Sequence, residues 1–133
     1  SWVEGEDGPG IGSSLELLLS ARAAGGKLEG SYEIEAIGMI NGYAAREDLY
    51  YANNQVKLVE IAYRNAAAGM GPPETVTWKL DQTMDMQFYR FPEPVLMSDL
   101  TVTVEDVFPG LRWDDTCIAE IVVVPAPTRR KTN

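Results

Sequence analysis

From Tyr32 onward the chain runs in short stretches of alternating apolar and polar residues, separated by turn formers. A period of two puts one face of a strand in a core and the other in water. Residues 34–40 are apolar and partly β-branched, and they stop at Asn41-Gly42. Over 56–63, Val59, Ile61 and Tyr63 share a face. Over 75–80, Val76, Trp78 and Leu80 share one face and Thr75, Thr77 and Lys79 the other. Met86 to Phe91 predicts a further strand, which Pro92 and Pro94 should stop because proline donates no ladder hydrogen bond. Val102 and Val104 face inward over 100–107, and IAEIVVV (118–124) predicts the last strand. The run AAAGMGPP (66–73) predicts a hairpin-like loop, and Phe108 to Thr116 a loop of aromatic and acidic residues. Six or seven short strands at roughly ten-residue spacing predict an all-β fold, a sandwich or jelly roll.

The first quarter of the chain supports two readings. Ser13 and Glu16 match a capping box and Gly25-Gly26 a helix end, whereas Leu15, Leu17 and Leu19 alternate like a strand. Residues 1–12 hold four glycines and three acids and predict a loop anchored by Trp2. PAPTRRKTN (125–133) is polar, basic and proline-punctuated, so the expected organisation is one domain over 1–125 and a tail or linker over 126–133. The start at Ser1-Trp2 has no visible signal peptide and suggests a domain from a longer chain.

Composition narrows the function. A net charge of −9 argues against nucleic acid and against anionic membrane surfaces, and leaves a neutral ligand or a divalent cation. No apolar run reaches the ~18 residues of a membrane span. Histidine is absent, which removes the Ser-His-Asp, Cys-His and HExxH arrangements. Cys117 is the single cysteine, so neither an internal disulfide nor a thiolate-rich zinc site is available. Its expected role is that of a small buried apolar side chain. GEDGPGIG lacks the lysine and Ser/Thr pair of a phosphate loop.

The stretch INGYAAREDLYYANNQVK (40–57) fits neither a helix nor a strand well. Asparagine and glycine favour turns, and tyrosine presents an apolar face with a polar tip. Such a loop is equipped to hold a hydroxyl-rich ligand, or it is pinned to its own domain by buried tyrosines. A second loop carries RWDDT (112–116). Sugars are bound by aromatic faces and by amide, carboxylate or guanidinium groups that pair with hydroxyls. The candidate ligand residues are therefore Asn41, Tyr43, Tyr50, Tyr51, Asn53, Asn54, Arg112, Trp113, Asp114 and Asp115. Each aromatic has an equally physical alternative as a core residue. Paired carboxylates for glycoside hydrolysis are not specified by any spacing here. Calcium takes six to eight oxygens, which EGEDGPG and RWDDT supply, and Glu120 interrupts an otherwise apolar strand. Glu120 is thus either a metal ligand or a residue turned outward on an edge.

Five segments, WVEG (2–5), GIG (10–12), INGYA (40–44), LYYANNQVK (49–57) and VFPGLRWDDTCIAEI (107–121), resemble in order the NADase-type glycan-binding or translocation domain. That family is a discoidin-like module of the coagulation-factor C-domain type, found beside bacterial and fungal NAD glycohydrolases. The resemblance spans roughly residues 2–124. It implies a galactose-binding-like β-sandwich that is not an enzyme, a strand at Leu15 to Leu19, and a setting outside the cell or in its envelope. It also implies a structural calcium that bridges an N-terminal loop and a last-strand glutamate, a place comparable to that of Glu120. The chain departs from the pattern in three ways. The Asp-rich portion that precedes WVEG in relatives is missing, and with it calcium ligands and a first strand or loop. Gln55 stands where many relatives have arginine. Residues 20–31 form a longer insert. The function expected is a non-catalytic glycan-binding module using loops at one end of the sandwich. The alternative is a protein-interaction or targeting module appended to an enzyme or surface protein.

Overall fold

A computed structural model describes residues 2–3, 8–23, 26–69 and 71–127. The elements, in chain order, are β1 (Trp2–Val3), β2 (Ser14–Leu18), β3 (Ser20–Ala23), β4 (Gly26–Glu29), β5 (Tyr32–Ile40), α1 (Glu47–Ala52), β6 (Gln55–Tyr63), β7 (Glu74–Lys79), β8 (Gln87–Met97), β9 (Asp99–Phe108), β10 (Cys117–Ile118) and β11 (Glu120–Pro125). The main sheets have the orders β2-β9-β6-β7 and β11-β5-β8, and β1-β10 and β3-β4 form two small pairs. All these ladders are antiparallel. The result is the all-β sandwich of the discoidin type that the alternation and the resemblance predict.

The core lies between the two larger sheets. Val59, Ile61 and Tyr63 of β6 and Leu100, Val102 and Val104 of β9 meet Ile34, Ile37 and Met39 of β5 and Phe91, Val95 and Met97 of β8. Trp78 and Leu80 close one side, and Trp2 packs against the cluster as the anchor expected of it. Each fully buried side chain of this size contributes roughly 1.5–3 kcal/mol. The contested segment is strand: β2 pairs with β9 from Ser14↔Thr103 to Leu18↔Asp99, and Leu15 and Leu17 are half-buried. A ladder along β9 outweighs the local helical signal, since tertiary context overrides propensity.

Two expectations fail. The stretch 40–57 contains a six-residue helix, α1, where a loop is predicted. Nor do Pro92 and Pro94 end their strand, for β8 runs through both to Met97. The reason is the register. Ala36 faces Arg90, but Ile34 faces Val95, so residues 91–94 bulge out opposite Glu35 alone. The prolines fall inside that bulge, on an edge strand, where no ladder donor is required. Glu35 is also skipped on the other side, where Val124 faces Ala36 and Pro125 faces Ile34.

Gly25, Met70 and the predicted tail at 128–133 lie outside the described residues, as do Glu4, Glu6 and Asp7 of the N-terminal loop. Ala126, assigned to the tail by sequence, donates its N–H to the Glu33 carbonyl at 2.8 Å.

Candidate functional site

The two loops singled out in the sequence do meet, at the end of the sandwich where β5 finishes and β11 begins. The helix α1 explains how. It lacks a side-chain N-cap, although Glu47 and Asp48 in its first turn suit the positive end of the helix. Its last four carbonyls need partners from outside the helix, and each finds one. Asn53 caps Leu49 O with both its backbone N–H (3.2 Å) and its side-chain amide (2.8 Å). The Gln55 amide donates to Tyr50 O. Leu111 N–H donates to Tyr51 O at 2.9 Å, and Arg112 and Trp113 N–H donate to Ala52 O at 3.1 and 2.9 Å. Residues 111–113 therefore close the C-terminal end of α1.

That closure needs the chain to approach very closely at Gly110. A Cβ there would lie 2.5 Å from both Ala52 O and Trp113 O. The Gly110 N–H also donates to Asn54 Oδ1 at 2.6 Å. Asn54 Nδ2 in turn donates to Asp114 Oδ1 (3.0 Å) and Thr116 Oγ1 (3.2 Å), and its backbone N–H to Asp115 O (2.8 Å). Thr116 Oγ1 reaches Pro9 O and ties in the N-terminal loop.

A second hub lies beside it. Asn41 Nδ2 donates to Val56 O and Asp81 O, both at 2.8 Å. The Tyr50 hydroxyl reaches Asn41 Oδ1 and Thr83 O, each at 2.9 Å. Burial pushes this hydroxyl up to about 12; the neighbouring Tyr51 adds to the shift and the Thr83 carbonyl opposes it. Gln55 is completely buried between Tyr50 O, Asn53 O and the Gln82 amide, which donates to Gln55 Oε1 at 2.7 Å.

Burial divides the candidate residues into two sets. Asn41, Tyr50, Asn53 and Asn54 are buried. The amides of Asn41 and Asn54 have both hydrogens and the oxygen engaged within the protein. These four residues build the loop end from inside. Tyr43, Tyr51, Arg112, Trp113, Asp114 and Asp115 are exposed. Tyr51 meets Tyr50 edge to face, with centroids 5.0 Å apart, and the Arg112 guanidinium sits over the Trp113 ring at 4.7 Å. Tyr43 points elsewhere, into an apolar cavity of about 200 Å³ lined also by Val3, Ala44, Ala45, Cys117 and Ala119. Cys117 is buried, as expected.

Sequence reasoning missed Leu111, which is 86% exposed beside Tyr51 and Trp113 and is the most exposed large apolar side chain among the described residues. The Pro109-Gly110 pair that precedes it is the available signal, because it marks a tight turn that holds the next residue out.

Glu120 lies on the edge strand β11, exposed and paired in register with Ile40. Among the described residues no group of three or more Asp, Glu, Cys or His side chains converges to hold a metal. Glu4, Glu6 and Asp7, the N-terminal carboxylates open to the expected bridge with Glu120, lie outside the described residues.

With this architecture in view, a family model described as the NAD glycohydrolase translocation F5/8 type C domain matches residues 1–124. The chain belongs to that family. Among solved structures, the translocation domain of the Streptococcus pyogenes NAD+-glycohydrolase, determined by NMR, has a similar fold. The two superpose with a TM-score of 0.56 at 19% identity, over 93% of this chain and 98% of the other. Among curated proteins none matches. The family is defined by a translocation module distinct from the glycohydrolase's catalytic domain, and this chain is such a non-catalytic accessory domain. No helix among the described residues is long and apolar enough to cross a membrane.

Proposed function

We propose that this domain is a targeting module of an NAD glycohydrolase, working outside the cell or at the envelope, and that the tip formed by Tyr51 and 111–113 makes the contact. One observation carries this reading: Leu111, Trp113 and Tyr51 stand exposed on a backbone that α1 and Asn54 hold rigidly. Exposed apolar side chains on a fixed frame lose little conformational freedom on binding, and aromatic anchors of this kind dominate protein contacts. The buried amides favour this reading over a polar sugar cleft, since Asn41 and Asn54 have no free polar atoms to offer a hydroxyl. The test is a titration of labelled domain on intact cells of several kinds. Saturable binding is expected, reduced about tenfold or more by Leu111→Ser with Trp113→Ser. Equal binding by this variant would exclude the tip as the contact.

The glycan reading keeps a narrower site. Arg112, Asp114 and Asp115 are exposed beside the Trp113 ring, which gives one stacking surface with charged hydrogen-bonding groups around it. Competition of the cell binding by a free sugar would support it, whereas indifference to a broad sugar panel favours a protein partner.

A further inference from the structure

The two larger sheets leave four strands on the outside, β2 and β7 of one and β8 and β11 of the other. An outer strand carries a row of backbone donors and acceptors that can pair with a further strand. Proline interrupts that row on β8 and on β11. On β2 and β7 the ladders decide which residues turn their backbone outward. Leu19 N–H donates to Ser98 O at 2.8 Å, so the odd-numbered residues of β2 bond to β9, and Ser14, Glu16 and Leu18 face out. Leu80 N–H donates to Lys57 O at 2.8 Å, so the even-numbered residues of β7 bond to β6, and Thr75, Thr77 and Lys79 face out.

The outward row on β7 has defined ends. Pro73 has no N–H. Asp81 is engaged within the chain: its N–H donates to Gln87 Oε1 at 2.7 Å, and its carbonyl accepts from the Asn41 and Gln87 amides at 2.8 Å. Between these ends the backbone groups of Thr75, Thr77 and Lys79 have no hydrogen-bond partner among the described residues, and their side chains are exposed. A row centred on Thr77 is matched by an antiparallel copy of itself. A two-fold axis at Thr77 sets Thr77 against the second copy's Thr77 and Thr75 against its Lys79, which bonds every free group. On the core side Val76 lies opposite the second copy's Trp78. Threonine pairs and pairs of β-branched with aromatic residues stabilise adjacent strands, and no like charges face each other. Other registers lose this fit. Moving the axis to Val76 sets Lys79 against Pro73, and moving it to Trp78 sets Thr75 against Asp81. On β2 the equivalent axis falls on Glu16 and sets two carboxylates opposite each other.

We propose that two copies of this domain pair along β7 and join their four-stranded sheets into one antiparallel sheet. Two short strands bury less than the roughly 1,200 Å² of a standard interface, so the dimer is weak and reversible. The experiment is sedimentation equilibrium and NMR hydrogen exchange on the whole chain between about 20 µM and about 1 mM. Association is expected to grow over this range, and amide exchange at Thr75, Thr77 and Lys79 to slow with it. Val76 and Trp78, bonded to β6, should exchange slowly throughout. Thr77→Pro removes the donor on the axis from both copies at a position whose N–H the isolated domain does not use. It should weaken association about tenfold or more. Thr75→Glu, opposite the second copy's Lys79, should strengthen it about threefold. Both positions are exposed, so the variants should fold. Leu111→Ser with Trp113→Ser should leave association unchanged, which separates this surface from the tip. A monomer at the highest concentration would overturn the proposal, as would a dimer indifferent to Thr77→Pro. Weaker association in Thr75→Glu would mean another register, and loss of the dimer in the tip variant would move the contact to the tip; either would be equally fatal.

Discussion

Asn54 and Tyr50 show how one residue type serves two purposes that sequence does not separate. Asparagine and tyrosine suit a sugar site, and they suit a buried hub for the same reason: each combines a compact or flat body with directed hydrogen bonds. Only burial decides, and burial depends on α1, which the composition does not announce. Asn54→Ala removes the partner of the Gly110 N–H together with the links to Asp114 and Thr116. A loss of roughly 2–4 kcal/mol is expected, read from urea denaturation. Tyr50 makes a prediction about pH. Its folded-state value of about 12 lies above the ordinary 10.0. The unfolded chain therefore releases this proton first, and the hydroxyl's contribution is complete below pH 10 and lost as the pH rises towards 12. Tyr50→Phe should cost about 1–2 kcal/mol at neutral pH and flatten the decline of stability above pH 10. An equally steep decline in the variant would assign it to other groups, Tyr63 among them, whose hydroxyl is also raised by burial.

At the level of elements, strands were far more legible than the helix. The buried faces of β6, β7 and β9 follow the period of two as read, because each has one side on the core. The six residues of α1 are too few to display a period of 3.6, and the helix stands on contacts from residues 111–113 that lie far off in sequence. The bulge in β5 did leave a trace. Ile34 and Ile37 both face the core though three positions apart, which a regular strand does not allow. Without the neighbouring strands, that break in parity does not say which residue is extra. The joint between α1 and the 109–113 turn yields its own prediction. Gly110→Ala drives a methyl against two backbone oxygens. The turn should withdraw from α1, at a cost of about 1–3 kcal/mol. Hydrogen exchange at Leu111, Arg112 and Trp113 should then speed up while exchange in β6 and β9 stays slow. Uniform acceleration would mean that the tip and the sandwich open together.

For the molecule as a whole, the ordered strings INGY, LYY-NN and DDT-x-I-x-E carried the family because their spacing fixes the two loops that meet at one end. The same strings did not disclose how the loops divide their labour, since buried and exposed members are mixed within them without a regular period. One feature of the thinner sheet bears on how copies of the domain behave in solution. An open sheet ends in rows of unused donors and acceptors that invite pairing with another chain, the route to aggregation. Here both outer strands of the three-stranded sheet carry proline, Pro92 and Pro94 on β8 and Pro125 on β11. The bulge that breaks the register thus also makes β8 a poor template for self-association. Pro92→Val with Pro94→Val should restore a continuous edge. Light scattering of that variant should show concentration-dependent growth beyond the parent protein, and unchanged scattering would mean that other features guard this edge.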